Sequence, residues 1–113
     1  SLNYVGVICI EFFVDKYDNL FVNEIAPRVH NSGHLTIESY NVSQFQSHLR
    51  AVCDLSPIGP ELKSKAQMLN LLGEDIYKYR DQKKIEKNIY FHDYFKKEAK
   101  KGRKMGHVTK ILT

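Results

Sequence analysis

Two glutamates near the start of the chain are the residues that most clearly could do chemistry. Glu11 lies in an apolar stretch typical of a strand, and Glu24 follows in the next such stretch, just before a polar loop. Carboxylates brought together on neighbouring strands repel each other unless a cation lies between them. A divalent metal holding phosphate oxygens is the leading candidate, because Mg²⁺ takes oxygen ligands. The alternative is that each glutamate pairs with an arginine or caps the end of a strand.

The polar loop after Glu24 could bind an anion. It contains Arg28, His30, Asn31, Ser32, Gly33 and His34. A guanidinium can hold a carboxylate or phosphate through two hydrogen bonds, and the Asn-Ser-Gly turn adds side-chain and backbone donors. Zinc is a competitor, since His30 and His34 are four residues apart. That spacing needs a helix to align both rings, however, and Asn-Ser-Gly disfavours one.

A basic cluster near the end of the chain is the third candidate. In residues 102–107, GRKMGH, two glycines bracket the cations Arg103 and Lys104. Glycine lets a backbone approach an anion closely, and the cations add charge. A basic hairpin turn explains the same residues equally well.

The elements that must position these side chains follow from the apolar pattern. Residues 5–14 are predicted to be a strand buried on both faces, and residues 20–25 its return strand after a turn at 15–19. Alternation allows Glu11 and Glu24 to converge, whereas Asn23 should point elsewhere unless the strand bulges. A helix is predicted from the N-cap Ser43 to about residue 54.

The second half of the chain is predicted to be mostly β. A boundary is expected at Ser56-Pro-Ile-Gly-Pro60, followed by strands at 66–72, 88–95 and 106–112. Residues 74–87 are predicted to be a charged helix or a variable insertion. The fold class is therefore α/β (α+β), with domains at 1–56 and 57–113.

Composition restricts the possible functions. The chain has 113 residues, a net charge of +4 and two cysteines, Cys9 and Cys53, which we expect to be buried thiols in a reducing cytosol. No apolar run has the length of a membrane span, and we expect no charged-then-apolar leader with a cleavage site. The positive charge is concentrated in residues 83–104, which are most simply a solvated surface. A non-catalytic module that binds RNA is the functional alternative.

Separated segments of the chain resemble one known family. GVICIEFF, VNEIAPRVHNSGH, SQFQSHLRAV and GRKMGHVT occur in that order. They resemble the ATP-dependent N5-carboxyaminoimidazole ribonucleotide synthases of purine biosynthesis, which belong to the ATP-grasp superfamily. The loop His30-Asn31-Ser32-Gly33 favours this carboxylating branch over the formate-dependent transformylases, whose loop usually reads His-Asp-Thr-Gly.

The resemblance implies a fold and a reaction. The fold would be the C-terminal part of an ATP-grasp domain followed by a small, mostly β C-terminal domain. The reaction would convert ATP, bicarbonate and aminoimidazole ribonucleotide into ADP, phosphate and the N-carboxylated ribonucleotide, through carboxyphosphate. ATP and Mg²⁺, or Mn²⁺, would be the cofactors. The parent enzyme would be a cytoplasmic homodimer acting on small molecules, with no nucleic-acid or membrane partner.

The resemblance also implies roles for individual residues. Glu11 and Glu24 match the metal-binding glutamates, and Asn23 with Glu24 matches a nucleotide-contacting pair. Arg28, His30 and Asn31 match catalytic residues near bicarbonate or carboxyphosphate. The substrate-binding residues would be Ser32, Lys96, Arg103 and Lys104. The sequence departs from the family at Val29, where proline is usual, and at Phe95, where glycine is common.

The chain lacks the glycine-rich first domain, the adenine-pocket lysines and the phosphate-covering loop of the family, and corresponds to about its last third. Phosphoryl transfer depends on positioning and preorganised charge. We therefore expect the parent protein to be the enzyme and this chain alone to be inactive. Strand edges and apolar surface left exposed predict marginal stability or self-association.

Overall fold

The computed structural model describes residues 3–82 and 86–112, which form two compact units. The first unit contains the residues up to Ile37 together with Asn41–Glu61, and the second contains Glu38–Tyr40 and the chain from Leu62 onward. Helices and antiparallel strands occur along the chain, which confirms the predicted mixed fold class. Within the described residues, no helix is long and apolar enough to cross a membrane.

The first unit is built on a β hairpin. β1 (Cys9–Val14) pairs antiparallel with β2 (Leu20–Ala26), so β1 is shorter than the predicted strand 5–14. Asp15 closes the turn: one of its carboxylate oxygens accepts hydrogen bonds from the backbone N–H groups of Tyr17 (2.8 Å) and Asn19 (3.0 Å). A further hydrogen bond from the Asn19 side chain lowers the pKa of Asp15. This network keeps the turn compact.

A β-bulge interrupts the hairpin at the two glutamates. Glu11 is paired with Glu24, but the next residue, Phe12, is paired with Val22. Asn23 is therefore the extra residue of β2, and the alternation of side chains shifts there. The sequence analysis named a bulge as the condition for Asn23 to join the glutamates, and the structure contains one.

Short helices follow the hairpin. A 3₁₀ helix (Asn31–Gly33) and α1 (Thr36–Ser39) precede α2 (Gln44–Val52). Ser43 caps α2 as predicted, because its side chain accepts from the Gln46 backbone N–H while the Gln46 side chain accepts from the Ser43 N–H. This capping box satisfies backbone donors that the first helical turn leaves open.

The expected burial of the first unit is wrong for the described residues. Phe12, Phe13 and Phe21 are 47%, 62% and 56% exposed, although β1 was predicted to be buried on both faces. Cys53 is exposed and Cys9 only half-buried, so the prediction of two buried thiols fails as well. The physical reason is that the hairpin is a two-stranded sheet, which cannot enclose both of its own faces.

The second unit is a three-stranded antiparallel sheet with β5 at its centre. β3 (Ala66–Leu72) and β4 (Ile89–Asp93) flank β5 (Lys104–Ile111), and α3 (Asp75–Arg80) follows β3. The core contains Leu71, Ile76, Met105 and Val108. The predicted strand 66–72 is confirmed, and β5 begins two residues before the predicted 106. α3 is shorter than the predicted helix 74–87, of which residues 83–85 lie outside the described residues.

Gly106 allows β4 and β5 to approach each other. A Cβ at this position would collide with the carbonyl oxygen of His92 and would lie 2.9 Å from Cδ1 of Ile76. Glycine is therefore required by close packing inside the sheet.

An ion pair ties α3 to the end of β4. Nε of Arg80 donates to Oδ2 of Asp93 (2.6 Å), and a terminal guanidinium nitrogen donates to Oδ1 (2.8 Å). The Asp93 side chain is only 10% exposed. The hydrogen bonds from Arg80 lower the pKa of Asp93, and the same contact raises the pKa of Arg80. Two hydrogen bonds thus hold a carboxylate that is largely shielded from solvent.

We predict that Asp93→Asn destabilises the second unit at neutral pH and that this effect disappears in acid. The folded pKa of Asp93 is depressed, so the carboxylate stabilises the fold above its unfolded pKa of about 4. That contribution is lost as the pH falls through the folded value. Urea unfolding at pH 7 and at progressively lower pH measures the difference between the variant and the wild-type chain.

The exposed Asp81 provides a matched control, since Asp81→Asn removes the same charge from a site that lacks this ion pair. A difference between Asp93→Asn and wild type that stays constant as the pH falls would contradict the assignment.

Candidate functional site

The two paired glutamates have an imidazole between them. Nε2 of His30 lies 2.9 Å from Oε1 of Glu24, and Nδ1 lies 3.5 Å from Oε1 of Glu11. The His30 side chain is 12% exposed, whereas that of Glu24 is 51% exposed. His30 therefore forms the inner wall of the site, and Glu24 faces solvent.

The hydrogen bonds of His30 indicate its tautomer. Nδ1 accepts from the Ser32 backbone N–H (3.3 Å) and lies 2.9 Å from the Ser32 hydroxyl oxygen. In the neutral ring Nδ1 is then the acceptor, so Nε2 carries the proton and donates it to Glu24. This hydrogen bond reduces the repulsion between the glutamates that the sequence analysis identified.

Asn23 joins this group because of the bulge. Its side-chain nitrogen donates to Oε2 of Glu11 at 3.3 Å. Asn23, Glu24 and Glu11 therefore lie together at one end of the hairpin, with His30 beside them. The structure brings together the residues that the sequence analysis assigned to metal and nucleotide binding.

Gln44 holds the loop in place, and the sequence analysis did not identify it. Its Oε1 accepts from the His30 backbone N–H (2.8 Å), and its Nε2 donates to the His30 carbonyl (2.7 Å). Nε2 also lies 2.8 Å from Nδ1 of His34, whose ring stacks on Phe45 at 5.3 Å. The only sequence signal for Gln44 is its position directly after the helix cap.

The geometry of the loop does not support the zinc alternative based on His30 and His34. Asn31–Gly33 is a 3₁₀ helix, so the two rings do not follow the spacing of an α-helix. Nδ1 of His34 is engaged by Gln44, while Nε2 of His30 is engaged by Glu24. The two histidine side chains thus bind different partners.

A groove of about 340 Å³ borders the loop. It is lined by Val7, Ile8, Cys9, Ile10, Arg28, His30, Ser32, Gly33 and Gln44. Arg28 is exposed and donates one hydrogen bond to the Val29 carbonyl (2.9 Å). Within the described residues the other donors of Arg28 have no hydrogen-bond partner, so the groove carries a guanidinium that suits a small anion. Asn31 begins the 3₁₀ helix at the edge of the same loop.

The basic residues predicted to bind substrate lie in the second unit. Nζ of Lys96 donates to the Lys104 carbonyl (2.6 Å) and sits 5.5 Å from the centre of the Tyr94 ring. Arg103 donates to the Glu98 carbonyl at 3.4 Å. Phe95, directly before Lys96, is 85% exposed. Its φ of 53° is the left-handed conformation that favours glycine, the residue common at this position in the resembled family.

The predicted anion loop at 102–107 is shorter than expected. Lys104, Met105, Gly106 and His107 belong to β5, and Met105 is fully buried. Only Gly102, with a φ of 75°, and Arg103 remain in the turn. The backbone from Lys104 onward pairs within the sheet and cannot wrap around an anion, so any anion contact here would come from the side chains of Arg103 and Lys104.

A buried polar network supports Tyr94 and was not predicted. The Tyr94 hydroxyl lies 2.8 Å from Nδ1 of His107, which is 2% exposed. The His107 ring stacks on His92 at 4.4 Å, and Nε2 of His92 lies 2.6 Å from Glu38. Burial raises the pKa of Tyr94, so its hydroxyl keeps its proton across the neutral range. Sequence periodicity could not reveal contacts between residues this far apart.

Family models match both halves of the chain. The ATP-grasp domain matches residues 1–45, and the phosphoribosylaminoimidazole carboxylase C-terminal domain matches residues 66–113. Curated relatives include the N5-carboxyaminoimidazole ribonucleotide synthases of Brucella melitensis, 50% identical over 98% of this chain, and Bacillus subtilis, 45% identical over 96%. The chain spans about 30% of the length of these relatives.

Solved structures with the same fold carry corresponding names. N5-carboxyaminoimidazole synthetase from Staphylococcus aureus aligns with a TM-score of 0.90 and 42% identity, covering 99% of this chain and 31% of that protein. The Aspergillus clavatus synthase, solved with ADP and 5-aminoimidazole ribonucleotide, aligns with a TM-score of 0.85 and 39% identity, covering 95% of this chain and 30% of that protein.

We predict that Gln44→Leu loosens the loop. Leucine removes the partners of the His30 backbone N–H and carbonyl, which are partly buried. The cost should be about 1–3 kcal/mol of unfolding free energy, as for unsatisfied buried polar groups. Urea unfolding measures it, and faster hydrogen exchange at the His30 amide locates it.

A second variant tests the same contact from the other side. A Cβ at Gly33 would lie 2.5 Å from Oε1 of Gln44, so Gly33→Ala should displace that side chain and reproduce the faster exchange. Gln82→Leu, at an exposed position, is the control. Unchanged exchange at His30 in both loop variants would contradict the role of Gln44.

Proposed function

We propose that this chain belongs to the N5-carboxyaminoimidazole ribonucleotide synthase family and forms part of an ATP-dependent ligase that carboxylates aminoimidazole ribonucleotide with bicarbonate. The observation that carries the proposal is the convergence of Asn23, Glu11, Glu24 and His30 at one end of the β1–β2 hairpin. Because the chain spans about 30% of its relatives, the activity belongs to the full-length protein.

We assign the hairpin end to metal and nucleotide binding. Glu11 and Glu24 offer carboxylate oxygens from neighbouring strands, a donor set that suits Mg²⁺ or Mn²⁺. When bound, such a cation neutralises the phosphates of ATP and orients them for transfer. Asn23 holds Glu11 through its side-chain nitrogen and would contact the nucleotide beside Glu24. The Aspergillus clavatus synthase has been solved with ATP, which supports this choice of nucleotide.

Arg28, His30 and Asn31 would act on bicarbonate. Attack of a bicarbonate oxygen on the γ-phosphorus would give carboxyphosphate and ADP. Carboxyphosphate would then break down to carbon dioxide and inorganic phosphate, and the exocyclic amine of the ribonucleotide would add to the carbon dioxide and lose a proton. Arg28 borders the groove with donors suited to the developing charge. His30 holds a proton at Nε2 against Glu24, and Asn31 starts the 3₁₀ helix beside it.

The second unit would bind the ribonucleotide. Lys96, Arg103 and Lys104 supply basic groups suited to its phosphate. The substrate-binding role of Ser32, in the first unit, is a separate proposal that rests on the family resemblance and on its hydroxyl group. We propose residues 1–56 as the end of an ATP-grasp domain and 57–113 as a separate C-terminal domain. The matches at residues 1–45 and 66–113 support this division.

The names of the relatives favour bicarbonate over formate as the one-carbon donor and favour an enzyme over an RNA-binding module. The family resemblance further supports a full-length enzyme that is homodimeric and cytoplasmic. Size-exclusion chromatography with light scattering on the full-length protein measures its assembly.

We predict that Glu11→Gln and Glu24→Gln each lower ATP hydrolysis by the full-length protein roughly 100- to 1,000-fold, the scale of losing one group that stabilises transition-state charge. The assay compares hydrolysis with and without aminoimidazole ribonucleotide and bicarbonate. Glu86→Gln, at an exposed position, is the control. Hydrolysis by Glu24→Gln that is still stimulated by both substrates would contradict the metal site.

Phosphate binding by the second unit is tested separately. Lys96→Ala and Arg103→Ala should each raise the KM for the ribonucleotide roughly 10- to 100-fold, the loss expected for one hydrogen bond to a charged group. The KM for ATP should stay unchanged. Lys97→Ala is the matched control, since Lys97 is an exposed neighbour of the same charge. Equal effects on both KM values would argue against a phosphate contact.

A further inference from the structure

A thiol lies beside the proposed magnesium site and changes which cations that site can accept. Cys9, Glu11 and His30 are all half-buried, and each has a potential ligand atom within 4.8 Å of those of the other two. Cys9 and Glu11 lie two residues apart on β1, so their side chains leave the same face of the strand. The proposed magnesium chemistry uses Glu11 and has no role for the Cys9 sulfur.

We propose that Cys9, Glu11 and His30 form a binding site for a thiophilic divalent cation such as Zn²⁺. Thiolate, imidazole and carboxylate together are the ligand types that zinc takes in proteins, whereas Mg²⁺ avoids sulfur. Three protein ligands leave a fourth tetrahedral position open to water. An ion at normal zinc–ligand distances of about 2.0–2.3 Å would draw these ligand atoms closer together.

The surroundings of His30 match those of a metal-bound histidine. A ligating imidazole almost always donates its second N–H to a carboxylate or carbonyl, which fixes the ring and its tautomer. Nε2 of His30 makes this contact with Glu24 at 2.9 Å. Nδ1 lies 3.5 Å from Oε1 of Glu11 and accepts from the Ser32 backbone N–H at 3.3 Å, a hydrogen bond that a metal ion bound to Nδ1 would replace. Glu24 is therefore a positioning residue in this site, and not a ligand.

One hydroxyl group lies near two of the three proposed ligands. The Ser32 oxygen lies 2.9 Å from Nδ1 of His30 and 3.8 Å from the sulfur of Cys9. Two potential ligands are thus already arranged around a single polar atom. A metal ion taking that position would displace the Ser32 hydroxyl, which is exposed and can rotate into solvent.

The experiment uses Co²⁺ as a spectroscopic substitute for zinc. Titration of the reduced chain with Co²⁺ should produce thiolate-to-cobalt charge-transfer absorption that saturates at one equivalent, and Zn²⁺ should abolish it. Excess Mg²⁺ should leave the absorption largely intact, because it cannot replace the thiolate contact. The readout reports binding alone, so it succeeds or fails independently of the proposed enzymatic function.

Variants identify the ligands. Cys9→Ser should eliminate the charge-transfer band, while Cys53→Ser should keep it, because Cys53 is exposed at the end of α2. Glu11→Gln should weaken Co²⁺ binding. Glu24→Gln should weaken it roughly 10- to 100-fold without removing the band, as expected for a residue that only orients a ligand. Circular dichroism confirms that each variant is folded.

Two outcomes would overturn the proposal. The first is the absence of a thiolate band in the folded wild-type chain. The second is a band that survives Cys9→Ser and disappears in Cys53→Ser, which would assign it to the exposed thiol. If Cys9→Ser does not fold, an undiminished Co²⁺ affinity in Glu11→Gln is sufficient to reject the site.

Discussion

The repulsion between two neighbouring carboxylates determines how the first unit is arranged around its hairpin. Glu11 and Glu24 face each other across β1 and β2, and each remaining part of the site reduces the cost of that pairing. Asn23 donates to Glu11, and His30 donates to Glu24. The position of His30 depends in turn on Gln44, which binds its backbone on both sides. Gln44, a helix residue distant in sequence, thereby helps to hold the imidazole that reduces the repulsion between the two glutamates.

Sequence reasoning succeeded where the determinants are local. Alternation along two strands was enough to pair Glu11 with Glu24, and the Ser43 cap was recognisable from the residues that follow it. It could not establish the bulge at Asn23, because a bulge depends on how two strands pair and not on either strand alone. Gln44 was missed for the same reason, since its partners lie 14 residues earlier. The prediction that β1 is buried on both faces failed because an apolar pattern does not show whether another element packs against those faces.

The second unit shows how buried side chains can orient a half-buried cation. Lys96 lies over Tyr94, whose hydroxyl is held by His107 within the central strand. Phe95 takes a left-handed conformation between them, and its backbone N–H donates to Asp93 (2.7 Å), the carboxylate that also binds Arg80. The direction of the Lys96 side chain therefore depends on core contacts as well as on its own flexible stem. The positive charge of these residues was therefore enough to identify the basic cluster from sequence, but the core contacts that orient Lys96 could not be identified in this way.

Which cation binds at the hairpin depends on which residues supply its ligands. Ligands taken across the hairpin, Glu11 with Glu24, are all oxygen and suit a hard cation. Ligands taken along β1, Cys9 with Glu11, combine sulfur and oxygen and suit a thiophilic one. Glu11 belongs to both sets, so the two cations exclude each other. In one set His30 is a neighbour of the metal and in the other a ligand, and its tautomer, fixed by Glu24, is compatible with both. The same alternation that pairs the glutamates thus also places the thiol beside them.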